Sequence, residues 1–330
     1  MLSRIVNRFE RFYGLFVGEQ QAAMAAYRMQ NRISDWNYRG NGKTEELPAD
    51  ALNYLTHDNT RLKELERRYA AVRGIKHSVW HWHTSSVRLR QFRGEGDFLT
   101  QNVSGGIEPY IASFGYALGL DTLGLFERLS EDTRFMCHTY QILGRQVSRD
   151  LIDSVLEIGF LADALGLSTD SDIRVLDIGA GYGRFAHRLV TAFPNIQVRC
   201  TDAVPASSFL AEFYLGFRKA AGASMLPLDE VDTLAGPVDL ACNIHSWSEC
   251  TLQSIRWWLD QLDRLRPRYL FVVPHTEEGL SREEDESRPT FFNEIASRGW
   301  KLAVKRAKYH KSTLLMEKGV CPAWYFLFER

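Results

Sequence analysis

The C-terminal half of the chain alternates short apolar runs typical of strands with amphipathic segments typical of helices. In such an alternation, each strand is followed by a helix that crosses one face of a sheet, which favours parallel strands with helices on both faces. Seven strands are predicted, over residues 173–178, 197–202, 223–226, 238–243, 269–273, 301–307 and 324–328.

The last two predicted strands constrain the topology further. Residues 324–328 are apolar on both alternating faces, which predicts an interior strand. The connection between residues 307 and 324 is too short for a packed crossover helix, so we expect one of these strands to run antiparallel to the others. The fold class predicted for residues 169–330 is therefore α/β, with a mostly parallel sheet.

Residues 1–168 differ from the rest of the chain and are predicted to form a mainly helical region. Amphipathic patterns indicate helices over residues 58–73 and after the pair Gly105 and Gly106. Residues 148–166 are apolar around most of a helical circumference and begin with Ser148, a favourable N-cap residue, which predicts a buried helix. We expect this region to cover the carboxyl edge of the sheet.

Composition excludes several classes of protein. The 330 residues carry 40 basic and 41 acidic side chains, so no strong net field attracts nucleic acid or an anionic membrane. No apolar stretch reaches the roughly 18 residues that a membrane helix needs, and the five cysteines contain no C-x-x-C pair. We therefore expect a cytoplasmic protein with no nucleic acid, no membrane span and no metal site, and a homodimer is left open.

The most informative segment is residues 175–186, V-L-D-I-G-A-G-Y-G-R-F-A, which joins the first predicted strand to a helix. Its glycines permit a tight turn and the close approach of a ligand, and the N–H groups at the helix start face that ligand. The spacing G-x-G-x-G differs from the G-x-G-x-x-G of dinucleotide folds. Asp177 precedes the first glycine by two positions, and Asp202 ends the second strand at about the 20-residue offset where an acid binds ribose hydroxyls.

This constellation resembles motif I and the following acidic site of the class I S-adenosylmethionine (SAM)-dependent methyltransferases, over about residues 173–330. The resemblance implies a Rossmann-like, seven-stranded, mostly parallel sheet with a late reversed strand, and SAM as the cofactor. It implies a set of cofactor-binding residues: Asp177, Gly179, Ala180, Gly181, Gly183, Asp202, Ala203 and Asn243. The glycine loop would wrap the methionine part of SAM, Asp177 would orient its amino group, and Asp202 would hold the ribose. A turn without a ligand and an NAD site are the alternatives.

Two segments, residues 175–215 and 238–250, resemble more narrowly the bacterial sugar O-methyltransferase family, whose members also have a helical N-terminal region of similar size. This resemblance implies transfer of a methyl group from SAM to a hydroxyl of a sugar, in a glycan or a glycosylated metabolite, as in polysaccharide biosynthesis. Residues 1–168 would then enclose the acceptor. The alternatives are a phenolic, polyketide or amine acceptor, and a cofactor-binding scaffold that lacks catalysis.

Candidates for the proton chemistry follow the fourth and fifth predicted strands, at the carboxyl edge where open α/β sheets bind ligands. A hydroxyl loses its proton when it is methylated, and histidine accepts protons near neutral pH. We predict His245 as the general base, His275 as its rival, and Glu249 as a residue that orients His245 or binds the acceptor. A purely structural role is the alternative for each of the three.

The predicted acceptor-binding residues are aromatic or basic. Trp82 lies in a Trp-His-Trp-His run that suits stacking on a sugar, Arg88 could contact a phosphate or nucleotide-sugar, and Trp247 follows the fourth strand. The simpler interpretations are a half-buried strand for the aromatic run and a solvated face that carries Arg88, Arg90 and Arg93.

Overall fold

The computed structural model describes residues 44–72, 87–94, 96, 98 and 106–330. These residues cluster into two compact units. The helical unit consists of the described residues of 1–48, 90–163 and 307–322, and the sheet unit consists of those of 49–89, 164–306 and 323–330. The two units interleave along the chain, whereas the predicted domain boundary at residue 168 is a single point.

The helices of the described ranges are short or of moderate length, and none combines the length and apolar character that crossing a membrane requires. In chain order they are α1 (Ala49–Tyr54), α2 (Thr60–Tyr69), α3 (Glu108–Leu120), α4 (Leu125–Arg128), α5 (Arg149–Leu165), α6 (Arg184–Ala192), α7 (Pro205–Phe217), α8 (Leu252–Leu265), α9 (Phe292–Ser297) and α10 (Thr313–Lys318). Short 3-10 helices occur at Arg134–Met136, Leu228–Thr233 and Ser246–Glu249. The strands are β1 (Tyr140–Ile142), β2 (Arg145–Val147), β3 (Arg174–Ile178), β4 (Gln197–Thr201), β5 (Ala223–Met225), β6 (Leu240–Ile244), β7 (Tyr269–Val273), β8 (Lys301–Ala307) and β9 (Trp324–Glu329).

The sheet unit contains a seven-stranded sheet in the order β5-β4-β3-β6-β7-β9-β8. β3 pairs in parallel with β4 and β6, the pairs β4–β5 and β6–β7 are also parallel, and β9 runs antiparallel to β7. The central strands β6 and β7 are apolar and buried over nearly their whole length, as strands covered on both faces must be. The prediction of an α/β fold with a mostly parallel, seven-stranded, Rossmann-like sheet and a late reversed strand is confirmed.

Strand β9 lies inside the sheet between β7 and β8, as its two apolar faces predict. The connection before it contains a helix of only six residues, α10, which belongs to the helical unit. The reversed direction of β9 is confirmed. Ser312 caps α10 by accepting the Leu315 N–H at 3.1 Å, and Leu315 is buried. A helix of six residues shows too little periodicity to be recognised from sequence.

Helix α5 and the hairpin formed by β1 and β2 show where local sequence signals succeed and fail. α5 follows Ser148, whose hydroxyl accepts the Leu151 N–H at 3.0 Å, and most of its side chains are buried, as predicted. The hairpin was not predicted. Its loop residues, Leu143 and Gly144, both have positive φ, 52° and 74°. Such two-residue loops favour Asn-Gly or Gly-Gly, so Leu-Gly gives no recognisable signal.

Arg93 is buried in the helical unit, which corrects the interpretation of a solvated face at this position. Its guanidinium pairs with Glu131, with Asp132 at 3.0 Å and with Asp150 at 3.5 Å. Glu131, Cys137 and Asp150 hold potential metal-ligand atoms within 4.8 Å of one another, but the guanidinium already supplies positive charge to both carboxylates. The local spacing of arginines does not reveal acids that lie far along the chain.

A second buried ion cluster in the helical unit centres on Asp153 of α5. Its carboxylate pairs with Arg149 at 3.1 Å and with Lys308, and all three side chains are buried. Lys308 also donates to the carbonyls of Val320 and Cys321 at 2.8 and 2.9 Å. Burial alone would lower the pKa of Lys308, but the negative charge of Asp153 outweighs it and raises that pKa. The cluster therefore stays ionised and ties α5 to residues 308–321.

We expect Asp153→Ala to lower the free energy of unfolding by about 3–5 kcal/mol, because removal of one partner leaves buried cations uncompensated. The matched control is Asp170→Ala, at an exposed position, which should change it by less than about 0.5 kcal/mol. Urea unfolding followed by tryptophan fluorescence measures both variants. Equal effects would contradict a stabilising role for the cluster.

Candidate functional site

Loops of the sheet unit follow four parallel strands at the carboxyl edge of the sheet. Residues 179–183 follow β3, residues 202–204 follow β4, residues 245–249 follow β6 and residues 274–275 follow β7. The strand ends are level, because Ile178 pairs with Thr201 of β4 and with Asn243 of β6. The chain order of the strands reverses at β3, and open α/β sheets bind ligands in the crevice at such a point.

The glycine loop after β3 adopts a backbone that side chains rarely allow. Gly179, Gly181 and Gly183 have φ values of 70°, 57° and 84°, in the left-handed region that favours glycine. The N–H groups of Gly179 and Ala180 donate to the Thr201 carbonyl at 2.8 and 3.2 Å, which ties the loop to the end of β4. Gly183 then precedes the first turn of α6. The predicted strand–glycine loop–helix arrangement is confirmed.

Close packing joins the glycine loop to the loop after β6. A Cβ atom on Gly179 would lie 2.1 Å from Ser246 Oγ and 2.3 Å from Ser246 Cβ, so no side chain fits there. Asn243 strengthens this junction: its amide donates to the Ile178 carbonyl at 2.9 Å, and its Oδ1 accepts the Trp247 N–H at 2.9 Å. Asn243 thus orders both loops, and its predicted contact with a cofactor stays a prediction.

Asp202 lies at the end of β4 with its carboxylate directed at the glycine loop. Oδ2 accepts the Gly181 N–H at 2.9 Å, and Oδ1 accepts the Val204 N–H at 2.8 Å. Burial raises the pKa of Asp202 to about 6, although these backbone bonds oppose the shift. Because the pKa is raised, the stability that Asp202 contributes is present below the ordinary carboxyl pKa and is lost as the pH rises through about 6.

Two further predicted cofactor residues lie near this edge. Asp177 is the penultimate residue of β3, paired with Cys200 of β4 and Cys242 of β6, and only 2% of its surface is exposed. Ala203 is half-buried in the loop directly after Asp202. The contact of Asp177 and Ala203 with a cofactor stays a prediction.

The two predicted histidines lie side by side. The ring centroids of His245 and His275 are 5.2 Å apart, with the ring planes tilted by 37°. His275 Nε2 lies 3.8 Å from Glu249 Oε1, and the His275 N–H donates to Ser248 Oγ at 3.0 Å. The structure therefore brings together His245, His275 and Glu249, which lie on two different loops, and it places the acid next to His275.

His245 has a strained backbone. Its φ and ψ are 68° and −34°, a combination that non-glycine residues rarely adopt. The His245 N–H donates to the Val273 carbonyl at 2.7 Å, and its carbonyl accepts the Ser248 N–H at 3.0 Å. Strained residues that the surrounding bonds hold in place are concentrated at functional sites. The strain thus favours a functional role for this histidine.

The predicted acceptor residues are placed less clearly. Arg88 is exposed, and Trp82 lies outside the described residues. Trp247 is fully buried and packs edge-on against Phe291, with ring centroids 5.9 Å apart. Its indole therefore has no exposed surface to offer an acceptor in this structure, and its predicted contact stays a prediction.

The sequence reasoning gave no role to the two serines of the loop after β6. Ser246 packs against the glycine loop, and Ser248 Oγ accepts a hydrogen bond from the backbone N–H of His275. Their only sequence signal is position, because hydroxyl residues directly after a strand at the ligand-binding edge often bond to neighbouring backbone.

Gly179→Ala should destabilise the protein more than a strained backbone alone explains. The matched control is Gly166→Ala, whose φ of 66° is similar but whose Cβ would meet nothing within 4 Å. In both variants, alanine in the left-handed backbone should lower the free energy of unfolding by about 1–2 kcal/mol. The collision with Ser246 should lower it by a further amount, about 1–3 kcal/mol, only at Gly179. Thermal unfolding measures the difference. Adding Ser246→Gly to Gly179→Ala should restore the part of the stability that the collision removes. Equal losses of stability in Gly179→Ala and Gly166→Ala would refute the collision.

No protein-family model and no curated protein matches the chain. Among solved structures it is similar to the magnesium protoporphyrin IX methyltransferase of Synechocystis PCC 6803 with bound SAM, at 15% identity, with 55% of this chain and 82% of that chain covered and a TM-score of 0.41. It is similar to a SAM-dependent methyltransferase of Aquifex aeolicus at 15% identity, with 53% of this chain and 92% of that chain covered and a TM-score of 0.38. A third similar structure is the O-methyltransferase from a trans-AT PKS multienzyme of Brevibacillus brevis, in complex with S-adenosyl-L-homocysteine. The identity is 12%, 55% of this chain and 74% of that chain are covered, and the TM-score is 0.39. Similarities this weak assign neither a family nor an activity to this chain.

Proposed function

We propose that this chain is a SAM-dependent O-methyltransferase whose cofactor lies at the carboxyl ends of β3 and β4. The observation that carries the proposal is the bond from the Gly181 N–H to the Asp202 carboxylate at 2.9 Å, which joins an acid to a left-handed glycine loop. A nucleoside with an amino-acid tail needs both an acceptor for its ribose and an open backbone turn. The G-x-G-x-G spacing favours SAM over a dinucleotide.

The chemistry of the residues present fits this cofactor. The Asp202 carboxylate accepts the backbone N–H groups of Gly181 and Val204 and bonds to the Ser207 hydroxyl. An ionised carboxylate has about four lone-pair sites, so acceptor capacity remains for one ribose hydroxyl. The buried carboxylate of Asp177 would pair with the amino group of the methionine part. Gly179, Ala180, Gly181 and Gly183 would hold that part by backbone contacts. SAM, when bound, supplies a methyl group on a positively charged sulfur.

The chain's own tasks are then to align an acceptor hydroxyl and to remove its proton. His245 is the proposed proton acceptor, supported by its strained backbone and by its position on the loop that packs on Gly179. Glu249, whose Oε1 lies 3.8 Å from His275 Nε2, would orient the imidazole of His275. This contact gives the rival base its own support.

A sugar hydroxyl is the proposed acceptor. Its support is the resemblance of residues 175–215 and 238–250 to sugar O-methyltransferases. Trp82 and Arg88 are the proposed contacts, and residues 1–168 are the proposed enclosure; Trp247, whose side chain is fully buried, is not among these contacts. Incubation of the protein with SAM labelled in the methyl group and a panel of hexoses, nucleotide-sugars, a phenol and an aliphatic amine tests this choice. If only the phenol or the amine becomes labelled, the proposed acceptor is a phenol or an amine and not a sugar. If none of the compounds becomes labelled, the result favours a cofactor-binding scaffold without catalysis.

SAM and its demethylated product S-adenosylhomocysteine (SAH) should bind with micromolar affinity, on the order of −8 kcal/mol, whereas NAD should not bind. Affinity for SAH should fall as the pH drops below about 6, the raised pKa of Asp202, because a protonated acid loses acceptor capacity for the ribose. Calorimetry from about pH 5 to about pH 8 measures this fall and the protons released on binding.

Asp202→Asn is the matched variant, since it keeps the shape of the side chain and removes the charge. It should weaken SAH binding at least about ten-fold at neutral pH and abolish the pH dependence. Binding of NAD in place of SAH would refute the proposed cofactor. An unchanged pH profile in the variant would remove Asp202 from the cofactor site.

His245→Asn should lower turnover by about a hundred-fold or more, the scale of a lost general base, while changing SAH affinity less than about three-fold. Asparagine is chosen because it tolerates positive φ better than alanine does. His275→Asn is the control and should have a smaller effect. If His275→Asn abolishes turnover and His245→Asn does not, the two roles are exchanged, and if neither matters, neither histidine is the base.

A further inference from the structure

Helix α2, from the N-terminal part of the chain, belongs to the sheet unit and directs Tyr69 at its cofactor edge. Tyr69 is 7% exposed. Its hydroxyl donates to Ser208 Oγ at 2.8 Å and accepts the Leu228 N–H at 2.9 Å. Burial raises the pKa of Tyr69 to about 12, so the hydroxyl remains a hydrogen-bond donor at neutral pH. One side chain thus bridges the start of helix α7 and the loop after β5, and the sequence links neither of them to Tyr69.

The first of these segments, the start of α7, directly follows the loop that contains the proposed ribose acid. Ser208, in the first turns of α7, donates its N–H to the Val204 carbonyl at 3.1 Å and its hydroxyl to the Asp202 carbonyl at 3.4 Å. Val204 in turn donates its N–H to Asp202 Oδ1. The hydroxyl of Tyr69 is therefore connected, through Ser208, to the segment that orients the Asp202 carboxylate.

The second segment is the loop that follows β5, the strand next to β4. Leu228 begins the 3-10 helix of this loop, and its N–H is buried with Tyr69 as its acceptor. Carboxyl ends of adjacent parallel strands lie at the same edge of a sheet. Tyr69 therefore fixes the spacing between the loop of the acid and the neighbouring loop along that edge.

Helix α2 is anchored firmly enough to act as a reference point. Leu62 and Leu65 are buried. Arg61 pairs with Glu212 of α7 at 2.9 Å, and Arg68 pairs with Asp229 of the loop after β5 at 2.8 Å. The salt bridges therefore attach α2 to the same two segments that Tyr69 joins.

We infer that Tyr69 is a positioning residue for the cofactor, holding the Asp202 loop through Ser208 and the adjacent loop through Leu228. The inference rests on the proposed function, and it adds an N-terminal residue to the SAM site. Helix α2 then contributes to affinity for the nucleoside part of the cofactor, whereas the resemblance assigns residues 1–168 to the acceptor.

The test is SAH binding to the full-length protein by calorimetry. Tyr69→Phe keeps the ring and removes the bridging hydroxyl, and it should weaken SAH binding about five- to twenty-fold. The matched control is Tyr54→Phe, which removes a hydroxyl from α1 but keeps the stack of that ring on Phe209, with centroids 5.1 Å apart. It should change the affinity less than about two-fold. Ser208→Ala breaks the same link from its other end and should resemble Tyr69→Phe.

A double-variant cycle separates positioning from general stability. If Tyr69 acts through Asp202, Tyr69→Phe should lose most of its effect in the Asp202→Asn background, leaving less than about a two-fold change. A full effect in that background, or SAH affinity within two-fold of the parent in Tyr69→Phe alone, would overturn the inference and leave the cofactor assignment intact. No SAH binding to the parent protein would refute the proposed function itself.

Discussion

The site depends on the contact between two backbone turns, at Gly179 after β3 and at Ser246 after β6. Parallel pairing brings these strand ends level, and the absence of a side chain at Gly179 lets the turns touch. Asn243 then bonds to both. Once the turns are fixed, the positive φ of His245 and the direction of the Asp202 carboxylate follow from local hydrogen bonds. The arrangement of these loops at the carboxyl edge of the sheet is thus a product of backbone packing.

Electrostatics and burial oppose each other at this edge. Asp202 is buried where desolvation disfavours its charge, and its pKa is raised for this reason. Asp153 in the helical unit is equally buried, but Arg149 and Lys308 compensate it with charges from the chain itself. The contrast separates the two kinds of buried acid. Asp153 is compensated by cations of the chain, and Asp202 is compensated by the N–H groups of Gly181 and Val204 and by the hydroxyl of Ser207.

The sequence predicts well whatever depends on neighbouring residues. The strands of the sheet, the glycine loop and the cap of α5 at Ser148 all carry local signals, and the structure has them in place. Contacts between distant residues carry no such signal, so neither the ion pairs of buried Arg93 nor the bond from Tyr69 to Ser208 could be predicted from sequence. The proximity of His245 and His275 was predictable only in outline, from strand ends that share an edge.

The order of strands at one end of the sheet has a consequence for how the chain is made. β9 is synthesised after β8 yet lies between β7 and β8. During translation β8 can have no place in the sheet until β9 has emerged and paired with β7. The intervening residues 307–322 join the helical unit, so this late step completes both units together. Until then β7 exposes an apolar, unpaired edge, the kind of nascent surface that chaperones shield from aggregation.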